Sequence, residues 1–273
     1  MTIFFRYPAL PLGCVLLALI IIAAAFGPAL YALDPWSSSS MPFQPPFSTD
    51  APLGTDLLGR DVMAGLLQGA RVSLIVGVVA AFGAIAIGGI VGLLAGYFRG
   101  KVDTVLTSIT EFFQTIPSFI LAVLLVSIFN PSLTSIVIAI ALVSWPQVAR
   151  IVRTQSMSLR EREFVLAASL SGKPVWKIIA VDLLPHVLPS VLVVASLIVA
   201  NAILTESALS FLGLGDPNMM SWGYMVGASR SVIRIAWWMS VFPGIAILLT
   251  VLSVNLISDG LAHHLNPRKE TSS

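Results

Sequence analysis

Residues 160–189 read REREFVLAASLSGKPVWKIIAVDLLPHVLP. The stretch is a polar, basic island between two long apolar runs, and it carries Arg160, Arg162, Lys173 and Lys177. Lysine and arginine concentrate on the cytoplasmic side of membrane proteins, so the island belongs there. Its local grammar is helix, tight turn, helix. A first helix is expected over 158–171, with Phe164, Leu166, Ala167, Leu170 and Ser171 sharing faces. Gly172 suits a left-handed cap after it. Pro174 suits the first turn of a second helix, where a missing N–H costs nothing. That second helix is expected over 175–184, with Pro185 ending or kinking it. The adjacent small residues Ala167 and Ala168 let another backbone come close. The stretch reads either as an ordinary cytoplasmic loop or as a docking element for a soluble partner.

Composition decides the class. A soluble domain averages about 25% charged residues. This chain of 273 residues has 10% charged and 57% hydrophobic residues, more apolar surface than a soluble domain can hide. It is all-α and polytopic. Cys14 is the only cysteine and lies in an apolar run, so no internal disulfide forms and the thiol faces lipid or packs. No nucleic-acid signature is present.

Outward from the island, apolar segments long enough to cross a bilayer fall at 12–30, 72–95, 112–129, 133–149, 188–209 and 239–257. The first also has the small residues Ala23, Ala24 and Ala25 of a cleavable signal, but its apolar run exceeds a typical signal core. A Pro- and Ser-rich excursion fills 31–70. Within it, LGTDLLGRDVMAGLL reads as a short interfacial helix capped by Thr55 or Asp56. Arg60 and Asp61 there are either solvated or make contacts at the membrane mouth. Gly88, Gly92 and Gly96 recur every fourth residue, a smooth stripe for helix packing. No G-x-x-x-x-G-K-[ST] loop occurs, so the chain holds no nucleotide in that way. Trp222, Tyr224, Trp237 and Trp238 suit a headgroup belt.

Six spans with both termini cytoplasmic agree with the charge. Of the 15 lysines and arginines, only Arg60, Arg71, Arg230 and Arg234 then fall outside. Arg6, Arg268 and Lys269 fall inside with the rest. Residues 31–70 and 210–237 are placed outside, and 97–104 and 153–186 inside. Glu206 is the one acidic residue in a span interior. An intramembrane carboxylate is expensive, and it makes Glu206 a candidate pathway or gate residue, a partner of Arg230 or Arg234, or an interfacial group. His186, His263 and His264 are the only histidines, and their placement favours solvated roles over metal ligation.

The island resembles the cytoplasmic loop of permease subunits of ABC importers, whose signature is E-A-A, three residues, Gly, then I-x-L-P. Ala167, Ala168 and Gly172 hold the spacing and Leu184-Pro185 the ending. Leu166 replaces the signature Glu, the nearest upstream acid being Glu163, and Asp182 stands where Ile is expected. Further blocks, LGTDLLGRD at 53–61, GARVSL at 69–74, LAGYFRGKVD at 94–103, LVSWPQVARIVR at 142–153, LSFLGLG at 209–215 and NLISDGL at 255–261, are similar to the second permease of the dipeptide, oligopeptide and nickel importer family. The resemblance implies a type I importer permease of the bacterial inner membrane, a single domain over 1–273. Its core spans 72–267 and contains a coupling loop at 156–186. It implies a homologous permease partner, two cytoplasmic ATPases and an external binding protein. It implies ATPase-coupling roles for Glu163, Ala167, Ala168, Gly172 and Pro174, no cofactor, and no catalytic residue in this chain. The implied substrate is peptide, with nickel as runner-up. A secondary transporter would bury ionisable residues at mid-membrane or show internal repeats. A membrane enzyme would need a nucleophile or metal cluster.

Overall fold

The computed structural model describes residues 9–265, so Arg6, Arg268 and Lys269 lie outside the described residues. The chain is built from α1 (Ala9–Leu30), α2 (Val62–Phe98), α3 (Gly100–Thr115), α4 (Ser118–Phe129), α5 (Leu133–Arg160), α6 (Glu163–Leu170), α7 (Val175–Phe211), α8 (Trp222–Ser229) and α9 (Trp238–Leu265). Among the described residues only isolated β-bridges occur, in the loop before α2. Among the described residues, helices α1, α2, α5, α7 and α9 are each long and apolar enough to span a membrane, and the count is six when the bent pair α3–α4 is taken as one broken span.

The glycine stripe of α2 builds the centre. Gly88, Gly92 and Gly96 face the stretch of α5 from Trp145 to Met157. A Cβ on Gly92 would lie 2.7 Å from Val152 Cβ, and one on Gly96 would lie 2.6 Å from Arg153 O. Backbone thus meets side chain with no room between, the close approach that stabilises helix pairs where lipid offers no hydrophobic driving force. Around this seam a core of Trp145, Val148, Val152, Ile178, Leu183 and Val187 joins α2, α5 and the start of α7.

Several expectations are corrected. The interfacial helix before α2 does not form. The chain turns through 51–60 and α2 begins at Val62 as one helix of 37 residues. Its cap is neither Thr55 nor Asp56 but Asp61, whose Oδ1 accepts from Ala64 N–H at 2.8 Å. Asp61 prevails because its other oxygen is also used: Tyr31 donates to Oδ2 at 2.9 Å. Burial, then the Asp61 hydrogen bond and charge, push the Tyr31 phenol up to about 12, so this tie stays intact at any physiological pH. Thr55 and Asp56 instead order the external loop. Thr55 Oγ1 donates to Met41 O and accepts from Gln44 N–H, and Asp56 accepts from the N–H groups of Leu58 and Arg60.

The third span is not one helix over 112–129. Pro117 forces Ile116 into extended backbone (φ −89, ψ 127), as proline does to its predecessor, and α3 meets α4 at 86°. The fifth span begins earlier than expected. Pro185 does not end its helix, because a π-helical turn at Ile178–Leu183 precedes it. Leu184 N–H already reaches back to Ile179 O, so the hydrogen-bond ladder is shifted where proline has no donor. Proline in α1 is managed differently. Pro28 supplies no N–H to Ala24 O, and Arg71 Nε from α2 donates there at 2.5 Å. The expected aromatic belt is also revised. Trp222 and Trp238 are buried, their indole N–H groups donating to Leu66 O and Thr55 O, which pins α8 and α9 to the outer end of α2 and its loop. Trp237 is exposed and remains suited to the interface. Cys14 is exposed on α1.

Gly92→Leu should overpack the seam and destabilise the assembled protein by roughly 1–3 kcal/mol. Gly89, with nothing within 4 Å of its added Cβ, should accept alanine without loss. Thermal unfolding of the two purified variants checks the contrast, and equal stability would remove the seam from its central place.

Candidate functional site

The cytoplasmic segment is anchored at both ends. Arg99, just after α2, donates to Met157 O at 3.0 Å and pairs with Glu161 at 2.7 Å, fastening the end of α5. Arg160 lies over the Tyr97 ring at 5.3 Å. The expected helix over 158–171 is therefore two pieces. The corner is at Glu161 and Arg162, and Arg162 is extended (φ −75, ψ 145) before α6. Val165 is the buried residue of α6 and packs in the core with Ile178, Leu183 and Val187, while Ala168 sits half-buried against it.

Gly172 takes φ +72, as its cap position requires. Gly172 N–H donates to Ser169 O and Lys173 N–H to Ala168 O, the two bonds of a Schellman motif. Nothing lies within 4 Å of an added Cβ, so the demand for glycine is conformational. Pro174 stands at the N-cap of α7, one position before the expected first turn. Lys173 Nζ reaches Asp182 Oδ2 at 2.6 Å, tying the turn to the π-helical segment. His186 stacks on Phe164 with ring centroids 4.9 Å apart, and its Nδ1 lies 2.8 Å from Asp182 O. Glu163, Ala167, Gly172 and Pro174 are exposed. Beside them Leu166, Leu170 and Trp176 present apolar side chains, Leu170 at 89% exposure. Exposed apolar side chains beside charged ones are the composition of an interaction surface.

A second feature lies within the spans. Ser118 of α4, Ser144 and Gln147 of α5, and Asn201 and Thr205 of α7 line a pocket of about 230 Å³. Ser144 and Gln147 are three residues apart and Asn201 and Thr205 four, so each pair shares a helix face. Hydroxyls and amides at this depth are costly against lipid and are kept where they face protein or water. The pocket offers neutral donors and acceptors and no formal charge, a lining suited to amide groups and water. Sequence reasoning did not single these residues out as a site. The available signal was polar pairs at helical spacing inside apolar spans, beside the break at Pro117.

Glu206 is elsewhere. It is 2% exposed and does not line the polar pocket. Its Oε1 accepts from Ser210 Oγ at 2.8 Å and from Ser221 Oγ at 2.7 Å. Ser221 caps α8 by accepting from Tyr224 N–H, and Trp222 N–H donates to Ser73 Oγ of α2. Among the described residues no ion pair links Glu206 to Arg230 or Arg234, and Arg230 donates instead to Phe211 O. Enclosure in this serine nest also rules out the interfacial role. The geometry is that of a clasp between α7 and α8.

Comparison with known proteins adds the family. Residues 88–271 match the family described as binding-protein-dependent transport system inner membrane component. The chain belongs to this family. It is 38% identical over 265 residues to a putative peptide transport system permease protein of Brucella abortus, covering 96% of this chain and 89% of that one. It is 39% identical to the dipeptide transport system permease protein of Alkalihalophilus pseudofirmus, covering 95% and 86%. It is 38% identical to the oligopeptide transport system permease protein of Haemophilus influenzae, covering 97% and 86%. Its fold is similar to an inward-facing MetNI methionine ABC transporter structure, with TM-score 0.58 at 20% identity over 73% of this chain and 97% of that one. The protein is thus a multi-pass ABC importer permease of the inner membrane, with ATPase partners and a paired permease. The family is that of a transport subunit rather than a catalytic one.

For this permease, Glu206→Leu should take away the acceptor of the Ser210 and Ser221 hydroxyls and cost roughly 2–4 kcal/mol. Glu206→Gln keeps an acceptor oxygen and should stay within about 1 kcal/mol of wild type. Thermal stability of the purified complex, read beside uptake, separates a clasp from a gate: lost uptake at unchanged stability in the Gln variant would restore the gate.

Proposed function

We propose that this permease admits short peptides to the cytoplasm by alternating access, with an external binding protein delivering them and two ATPases driving the cycle. The observation that carries the proposal is the uncharged polar pocket at membrane depth, whose serine, threonine, asparagine and glutamine side chains match the amide groups of a peptide. The peptide-transport names of the relatives point the same way, and they favour peptide over nickel. Nickel would be better served by imidazole or thiolate than by the hydroxyls and amides of this lining.

The homologous permease closes the open side of the pocket. The ATPases dock on the exposed surface formed by Glu163, Ala167, Ala168, Gly172 and Pro174 with the apolar side chains beside them. Helix α6 then works as a short lever. Val165 wedges it into the core, and the Lys173–Asp182 pair links its far end to α7, whose upper part lines the pocket. ATP-driven closure biases the position of α6, and substrate in the pocket biases the same equilibrium from the other end. Hydrolysis takes place on the ATPases. Glu206 holds the outer helix α8 in place and does not line the pocket.

Uptake by the reconstituted complex tests both parts. Wild type should accumulate dialanine with ATP and its binding protein, and should not accumulate Ni²⁺. Gly172→Leu places a side chain at a positive φ, and it should retain ATP hydrolysis while uptake falls roughly tenfold, equivalent to about 1.4 kcal/mol of lost coupling. Accumulation of Ni²⁺ without peptide would overturn the substrate, and wild-type uptake by the variant would overturn the lever.

A further inference from the structure

Between α2, α3 and α5, toward the cytoplasm, lies another pocket of about 220 Å³. Its charged lining is Glu111, Arg150 and Arg153. Arg153 is already committed: its Nε and Nη2 grip Asp103 at 2.5 and 2.7 Å. Arg150 and Glu111 are not. Both are exposed, and neither side chain forms a hydrogen bond or ion pair with any described residue, the Glu111 charge acting on Arg153 without a direct contact. A guanidinium and a carboxylate that share one pocket without pairing leave room for something that carries both opposite charges.

The two pockets share no lining residue, and they neighbour one another along α5 and across the break at Pro117. Gln147 of the first pocket and Arg150 of the second are three residues apart on one face of α5. Gln114 of the second and Ser118 of the first stand on either side of the break at Pro117. On the cytoplasmic side of the neutral pocket, α3 and α5 present Gln114, Glu111 and Arg150.

We propose that this pocket is an exit subsite for zwitterionic peptides, with Arg150 receiving the terminal carboxylate and Glu111 the terminal ammonium. The proposal rests on the peptide reading above and adds the means by which free termini are recognised. Arg150 presents a planar fork matched to a carboxylate, and Glu111 accepts the ammonium protons. The neutral pocket handles the peptide bond, and the charged one selects for unblocked ends.

The test is calorimetric binding of dialanine to the whole complex, without binding protein, in nanodiscs of phosphatidylglycerol, which carries no ammonium group to compete. Wild type should bind dialanine saturably and should not bind N-acetyl-dialanine methylamide. R150Q and E111Q should each weaken binding by about tenfold or more. The reversed pair R150E/E111R should recover part of the loss, which keeps the test decisive if a single variant assembles poorly. Absence of saturable dialanine binding to wild type, equal binding of the blocked peptide, or unchanged affinity in the variants overturns the subsite. ATP-driven dialanine uptake in the same preparations separates the two readings. Uptake by wild type with unchanged binding in R150Q and E111Q refutes the subsite alone, whereas no peptide uptake by wild type refutes both.

Discussion

The backbone-to-side-chain seam between α2 and α5 is the constraint on which the rest depends. Gly88, Gly92 and Gly96 bring α2 against Ala149, Val152 and Ser156 so closely that no Cβ fits. Lipid is as apolar as leucine, so helices in a membrane gain little by hiding apolar surface from it, and close packing must supply the affinity. The seam makes a post from two long helices. On its cytoplasmic end, Arg99 and Tyr97 hold the corner where α5 turns into α6. On its flank, α5 contributes Ser144 and Gln147 to the polar pocket. Both features therefore rest on one closely packed pair of helices.

Charge inside and near the membrane is handled by a consistent device. A carboxylate that cannot be solvated takes at least one donor from outside its own helix, although Glu206 Oε2 is left buried without a partner. Asp61 caps α2 and takes the Tyr31 hydroxyl, joining α1 to α2. Glu206 takes the hydroxyls of Ser210 and Ser221, joining α7 to α8. Asp103 takes Arg153, joining α3 to α5. Each of these three acids is a tie between two elements.

Features set by residues near one another in sequence were legible there. The spacing of Gly88, Gly92 and Gly96 announces a packing stripe, and Ser-Gly-Lys-Pro after an apolar helix announces a left-handed cap, because both rest on helix geometry alone. The glycine cap at 172 and the membrane class followed from such local rules. What was not legible depends on contacts distant in sequence. Asp61 outcompetes Thr55 and Asp56 as a cap because Tyr31, thirty residues away, takes its second oxygen. Trp222 and Trp238 look like interface residues until Leu66 and Thr55 offer carbonyls to their indoles. Pro117 marks a break without revealing whether the chain kinks slightly or turns through 86°. The polar pocket needs side chains from three helices whose arrangement no single segment encodes.

The most direct measurement concerns water in the polar pocket. Asn201→Cys, in a Cys14→Ser background, is exposed in the assembled importer to a small water-soluble thiol reagent. Labelling is followed in the resting state and with the ATPases trapped by vanadate. The expected result is reaction in both states, with a rate that changes several-fold on trapping, because the pocket is wet and its access alternates. Failure to react in either state, with the protein folded and assembled, would mean that this face is sealed against protein or lipid, and would contradict the pocket as a path.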